Sequence, residues 1–259
     1  MIRLLLFIFL IQGLWAKPIV MLGYFTPFNQ KKLNNSDTFT QEIIKKNEKD
    51  FQFIRCEIPS VYSTSYDVFR ECLKKMEGVP DLILGFGEGD CDLKFETILK
   101  NLDDSDTADN MGAVKRKEKI ISTGADFISL NYPLKEAYCQ LDEKEQESLV
   151  ISFLSGGFLC NHLAYQVRHF DEDLTAGFIH VPNHQCKDLV KKNMENVALI
   201  SKMLQTLVTA SPVDLPLYKS HLVLKREQSK REDDKCGEKF YKQIKGTDEL
   251  SFWPFSMLR

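Results

Sequence analysis

Short apolar runs alternate with amphipathic stretches along most of this chain. Residues 18–25, 80–87, 149–153 and 176–181 are near-continuous apolar runs bounded by glycine, proline or polar residues, which predicts buried strands. Residues 51–55 and 93–101 read as further, half-buried strands. Between them, residues 37–46 carry a helix with Asp or Ser at its start, and residues 64–76 place Val68, Phe69, Cys72 and Leu73 on one helical face. Leu163, Tyr165, Val167 and Phe170 recur at helical spacing, as do Val197, Ile200, Met203, Leu204 and Leu207. Residues 134–139 open another helix, and residues 142–147 read as a polar turn. Strands alternating with helices predict an α/β domain. The pattern fails after about residue 210, where two prolines and a mixed charge run at 225–235 predict a solvated linker.

The chemistry gathers where the third of these apolar runs meets its helix. Ser155-Gly156-Gly157-Phe158-Leu159-Cys160-Asn161-His162 reads as a strand, a glycine turn and a cysteine at a helix start. Unpaired amides and the positive dipole end stabilise an anion there, and a thiol in such a place loses its proton more readily. The same amides suit an oxyanion in acyl transfer. Taken alone, Cys160 is equally a buried small hydrophobe or half of a disulfide. One helix later, His180 sits in the short run before Pro182. Two adjacent parallel strands would bring Cys160 and His180 to neighbouring strand ends, where open α/β sheets carry their sites.

Composition changes the picture in two respects. The chain has 259 residues, 43% hydrophobic, with a formal charge of −3, enough for one sizeable domain and giving no reason to expect nucleic acid. Its first residues place Arg3 before an apolar stretch from Leu4 to Ile11 and then Gly13-Leu14-Trp15-Ala16, the pattern of a signal peptide cleaved after Ala16. The expected address is therefore secreted or periplasmic, with an uncleaved membrane anchor as the alternative. Seven cysteines in an exported chain leave at least one free thiol, and if Cys160 is that thiol the other six can form up to three disulfides. No metal-ligand spacing such as C-x-x-C occurs in the sequence, so no metal is expected.

The cysteine segment resembles the active-site signature of the pyroglutamyl-peptidase I (pyrrolidone-carboxylate peptidase) family, and Phe178-Ile179-His180-Val181-Pro182 resembles that family's histidine motif. Phe25, Pro27, Phe28, Asn34 and Ser36 match its first loop, with Tyr24, Asn29 and Gln30 where the family has glycines. Asp126 to Pro133 resembles a family segment ending Ser-x-Leu-Pro, with one or two extra residues. A lone Glu in an alternating strand is ordinarily a solvated residue. Here Glu96 precedes Leu102-Asp103-Asp104 and Asp109-Asn110-Met111-Gly112 in the register of the family's third catalytic residue. The resemblance covers about residues 18–207. It implies a three-layer αβα sandwich around a mostly parallel mixed sheet, of the phosphorylase/hydrolase-like kind. With the N-terminal and C-terminal patterns, three segments are expected: a signal peptide at 1–16, the α/β domain at 17–210 and a polar extension at 211–259.

By the same resemblance, Glu96, Cys160 and His180 form the triad of a cysteine exopeptidase that removes an N-terminal pyroglutamyl residue. Phe25, Phe28 and Phe158 line the pocket for the lactam ring. The implied partner is a pyroglutamyl-ended peptide, no cofactor is needed, and a homo-oligomer is compatible. Members of the family are usually intracellular, so an exported one departs from the pattern. Thr97 stands where the family usually has Arg directly after the Glu, and Asp90 and Asp106 replace two further frequent arginines. Negative charge at Asp90, if it borders the site, raises the thiol pKa. Two alternatives follow: a lapsed relative that only binds peptides, and a cysteine hydrolase acting on another acyl group.

Overall fold

The first strand, β1 (Ile19–Phe25), has Val20, Met21 and Leu22 with no exposed surface, because the sheet is covered on both faces. The computed structural model describes residues 16–29, 32–152, 156–211 and 235–245. The stretch up to Trp15, on which the expected signal peptide falls, the segment from Phe153 to Ser155 and the terminal aromatic cluster at 252–255 lie outside the described residues. After β1 come α1 (Asn35–Asn47), β2 (Gln52–Ile58), α2 (Ser65–Lys74), β3 (Leu82–Glu88), β4 (Lys94–Glu96), β5 (Ile98–Lys100) and β6 (Phe127–Ser129). They are followed by α3 (Leu134–Tyr138), α4 (Glu143–Ser148), β7 (Val150–Ser152), α5 (Leu159–Phe170), β8 (Ala176–Val181) and α6 (Leu189–Thr209). A last helix, α7 (Lys235–Gln243), runs into β9 (Ile244–Lys245).

The described strands form a seven-stranded sheet in the order β2-β1-β3-β8-β4-β7-β9 and a separate ribbon of β5 and β6. Every neighbouring pair in the large sheet is parallel except β4 with β8. Helices α1, α3 and α6 pack together on one face, and α2 and α5 on the other. This is the three-layer α/β architecture with a mostly parallel mixed sheet.

Local differences from the sequence reading have local causes. Helix α1 begins at Asn35, before the expected Asp37, because the Asn34 side chain accepts the Ser36 amide. The polar turn at 142–147 is instead helix α4. Asp142 accepts the Glu145 amide at 2.9 Å and Glu145 reaches back to the Asp142 amide at 3.1 Å, a capping box. The strand expected over 93–101 breaks at Thr97. There the Thr97 amide and hydroxyl both donate to the Ser152 carbonyl, and Leu130 donates to the Thr97 carbonyl. β4 therefore joins the main sheet, and β5 turns away to pair with β6.

Three disulfides link Cys56 to Cys72, Cys91 to Cys186 and Cys139 to Cys236, and Cys160 is left free. The first joins β2 to α2. The last ties the C-terminal extension to the domain across 97 residues of chain. In the chain-entropy model such bridges contribute roughly 3 kcal/mol for a loop of about 15 residues and nearly 5 for one of about 100. The extension is not uniformly solvated. Phe240 is fully buried edge-on to Tyr138, at 5.4 Å between centroids, and β9 pairs in parallel with β7.

Candidate active site

One face of the sheet carries the candidate residues, and strand register explains their meeting. His180 on β8 stands opposite Gly87 on β3 and opposite Lys94 on β4. Phe95 faces Ile179, so Glu96 comes next along β4, diagonal to His180 and on the same face. The Glu96 carboxylate Oε1 lies 2.7 Å from His180 Nδ1. Glu96 is 2% exposed, and the Tyr132 hydroxyl donates to its backbone carbonyl at 2.7 Å, which pins the strand end. The expectation of two adjacent parallel strands for Cys160 and His180 is corrected here. β4 lies between β7 and β8, parallel to the first and antiparallel to the second. That insertion puts the carboxylate within reach of the imidazole.

Cys160 arrives from above, as the second residue of α5. The preceding turn uses Gly156 at φ +80°, a conformation that side chains with a Cβ rarely adopt. Phe158 is the N-cap, and its side chain has no acceptor with which to cap the first-turn amides of α5. Asn161 anchors the turn through its Oδ1 to the Lys100 amide, and its Nδ2 donates to the carbonyls of Lys100 and Leu102. The glycines of residues 85–87 resemble a phosphate loop only superficially. A Cβ on Gly87 would lie 2.6 Å from Cys160 Sγ, so glycine leaves the space the sulfur occupies. Gly87→Ala is expected to lower activity on the order of 10²-fold through displacement of the sulfur. Circular dichroism should show the fold intact; wild-type kinetics would mean the thiol is not held against β3.

His180 bonds Glu96 on one side and, opposite Gly87 in the strand register, stands beside the Cys160 sulfur on the other. Burial works to push the imidazole down. The Cys160 sulfur, by charge and hydrogen bond, and then Glu96 in the same two ways outweigh it and raise the pKa from 6.5 to about 10. The protonated imidazole is thus the favoured form at neutral pH, beside the sulfur. The folded chain holds this proton more tightly than the unfolded one. Its contribution to stability is complete below pH 6.5 and is lost as pH rises through about 10. The difference in melting temperature between wild type and His180→Ala should therefore shrink over that interval. A difference independent of pH would show that the imidazolium is not stabilised by the fold.

The aromatic residues separate into two groups. Phe28 and Phe158 meet edge to face at 5.3 Å beside the start of α5, both half-buried. Phe25 is buried and lines a cavity with Gly85, Leu163 and Phe178. Sequence reasoning missed Tyr62, which stands perpendicular to Phe158 at 5.6 Å and to His162 at 5.0 Å. Its run, Pro59 to Tyr62, is too short to show periodicity. Burial, with Asp103, Asp109 and Cys160 nearby, pushes the Tyr62 phenol up, so it stays a neutral hydroxyl. His162, two residues from Cys160, is bound elsewhere: its Nδ1 lies 2.8 Å from Asp103 Oδ2, which Lys115 also pairs at 3.2 Å. Lys115 belongs to the basic run at 115–119, so part of that run is an inward brace.

The three positions that lack the family's arginines have their own partners. Asp90 is paired with Lys94 at 2.5 Å and its side chain is 59% exposed. Its charge is therefore balanced locally. Thr97 is buried and bonded to Ser152, and Asp106 pairs with Arg116 at 2.7 Å on the surface.

Comparison with known proteins agrees with this arrangement. The family model described as Pyroglutamyl peptidase matches residues 18–214. A pyrrolidone-carboxylate peptidase of Finegoldia magna is 31% identical over 172 residues, covering 63% of this chain and 78% of the relative. One from a Thermoanaerobacter species is 28% identical over 200 residues, covering 75% of this chain and 96% of the relative. Among solved structures, Bacillus amyloliquefaciens pyroglutamyl peptidase I superposes with a TM-score of 0.63 at 23% identity, over 74% of this chain and 97% of the other. The fold is thus shared, and the matched span takes in Cys160, His180 and Glu96: the chain belongs to the pyroglutamyl peptidase family.

Proposed function

We propose that this protein is a cysteine exopeptidase that removes the N-terminal pyroglutamyl residue from peptides, with Cys160 as nucleophile, His180 as acid and base, and Glu96 as the group that orients the imidazole. The observation that carries the reading is the convergence of three groups: the free thiol of Cys160 lies over Gly87, His180 stands opposite Gly87 in the strand register, and Glu96 meets His180 Nδ1 at 2.7 Å. Cys160 Sγ, as thiolate, attacks the pyroglutamyl carbonyl. The developing oxyanion faces the first-turn amides of α5. His180 then gives its proton to the leaving amine, which departs as the shortened peptide. A water attacks the thioester, His180 takes its proton, and Cys160 leaves as the thiol when that proton is returned. Glu96 stays ionised throughout and stabilises the imidazolium.

The half-buried ring pair of Phe28 and Phe158 suits an uncharged lactam, which has a flat apolar body and no N-terminal ammonium. The test is hydrolysis of a fluorogenic pyroglutamyl amide with the matching proline amide as control. Cleavage of the first alone is expected, and cleavage of neither by folded protein overturns the reading.

The proposed address is the exterior of the cell or an oxidising compartment. Three disulfides in one chain support it, since such bridges persist where glutathione does not reduce them. The N-terminal pattern from Met1 to Ala16 points the same way. Among the described residues, no helix is long and apolar enough to cross a membrane.

A further inference from the structure

Placement of Glu96 against His180 depends on a very short ladder. β4 has three residues and meets β8 at two register positions, Lys94 with His180 and Phe95 with Ile179. Before Lys94 on one strand and after Val181 on the other, the chain leaves regular structure. The loop from β3 to β4 and the loop from β8 to α6 then lie against one another. The Gly89 amide donates to the Val181 carbonyl at 2.9 Å. Asn183 returns two bonds, from its amide to the Asp90 carbonyl at 3.2 Å and from Nδ2 to the Gly89 carbonyl at 2.8 Å. The Cys91–Cys186 disulfide closes the two loops covalently, and Lys192 of α6 donates to the Cys91 carbonyl at 3.2 Å. The first loop runs directly against the histidine: a Cβ on Gly89 would lie 3.0 Å from His180 Cβ. Cys91 is exposed, so a solvent thiol can reach the bridge.

We propose that the Cys91–Cys186 disulfide is a positioning element for His180, holding the two loops across the stem of the imidazole so that the ring stays aligned between Glu96 and Cys160. This rests on the reading of His180 as the acid and base. The consequence is a divided redox requirement: the enzyme turns over with this pair oxidised and Cys160 reduced. A dithiol such as dithiothreitol opens the bridge by passing two electrons and two protons to the Cys91 and Cys186 sulfurs, which leave as two thiols, while the dithiol closes to its own cyclic disulfide. The charged and titratable groups around His180 are Glu96, Cys160 and, by register, Lys94 with its partner Asp90.

The experiment compares wild type, Cys91→Ser/Cys186→Ser and the control Cys139→Ser/Cys236→Ser. Three quantities are measured: kcat and KM on a pyroglutamyl amide, the pH profile of Cys160 alkylation by iodoacetamide, and the fold by circular dichroism. Loss of the first bridge is expected to lower kcat between about ten- and a hundredfold. KM should change little, because the ring contacts of Phe28 and Phe158 are with each other and with Tyr62 and not with residues of these loops. The upper limb of the alkylation profile should also move to lower pH as the imidazolium loses its placement. The control should keep wild-type kinetics. Should the first double variant not fold, wild type is titrated with dithiothreitol while its dichroism stays native, and activity, assayed before any alkylation, should fall in step with reduction of Cys91–Cys186 as mapped by alkylating separate aliquots. Unchanged kcat and profile without the bridge, or equal losses in variant and control, overturn the proposal. If wild type cleaves no pyroglutamyl amide, the functional reading fails, whereas the alkylation profiles still decide whether the bridge positions His180.

Discussion

Cys160→Ala is expected to lower turnover of a pyroglutamyl amide on the order of 10⁴- to 10⁶-fold, the scale seen when a hydrolase loses its nucleophile. Cys160→Ser should fall nearly as far, because at neutral pH a hydroxyl is a much weaker nucleophile than a thiolate paired with an imidazolium. The expectation draws on the cysteine inventory. Six cysteines are consumed in three disulfides, and Cys160 alone remains free. Iodoacetamide without prior reduction should therefore label Cys160 selectively, with activity lost in proportion to labelling. Peptide mapping that finds Cys160 unlabelled in an inactivated sample would defeat the assignment, and so would full activity in the alanine variant.

His180→Ala should lie close to Cys160→Ala, whereas Glu96→Gln should be impaired less, by about 10² to 10⁴ in kcat. The two residues do different things. The imidazole passes the proton to the leaving amine, from a position between the Cys160 sulfur and the buried Glu96 carboxylate. Glu96 holds the ring through Nδ1 and favours its charged form at 2.7 Å. A glutamine keeps the shape and can accept the same bond, but it removes the charge. The upper limb of the alkylation profile should then shift to lower pH in Glu96→Gln, since one of the two groups holding His180 near a pKa of about 10 is gone. Equal activity of His180→Ala and wild type would mean that His180 is a core residue. His162 is a poor substitute, because its Nδ1 is engaged by Asp103 in a separate buried pair.

Much of the site was legible before any coordinates. A strand, a glycine turn and a helix carrying Cys160 near its start follow from apolar periodicity and from glycine's access to positive φ, both local properties. The same holds for His180 in a short apolar run before Pro182. Which residues form β-strands and helices was written mostly in spacing. The errors came where a local feature had a less visible signal, such as the Asp142–Glu145 capping box that makes α4 a helix.

Relations between distant segments belonged to the tertiary structure. Periodicity carries no information on strand order, so the insertion of β4 between β7 and β8, and with it the placing of Glu96 beside His180, appeared only in the assembled sheet. Cysteine count allows three bridges but not their pairing, because pairing depends on which loops the fold brings together; the linking of Cys91 to Cys186 beside His180 is one result. Charge at a position is likewise visible in sequence, while its effect is not. Asp90 read as a negative group near a thiolate until Lys94, four residues on and turned to the same side by the start of β4, paired with it at 2.5 Å. Type and order of elements are decided by interactions within a few residues. Neighbours across the sheet are decided by burial of faces that lie far apart along the chain.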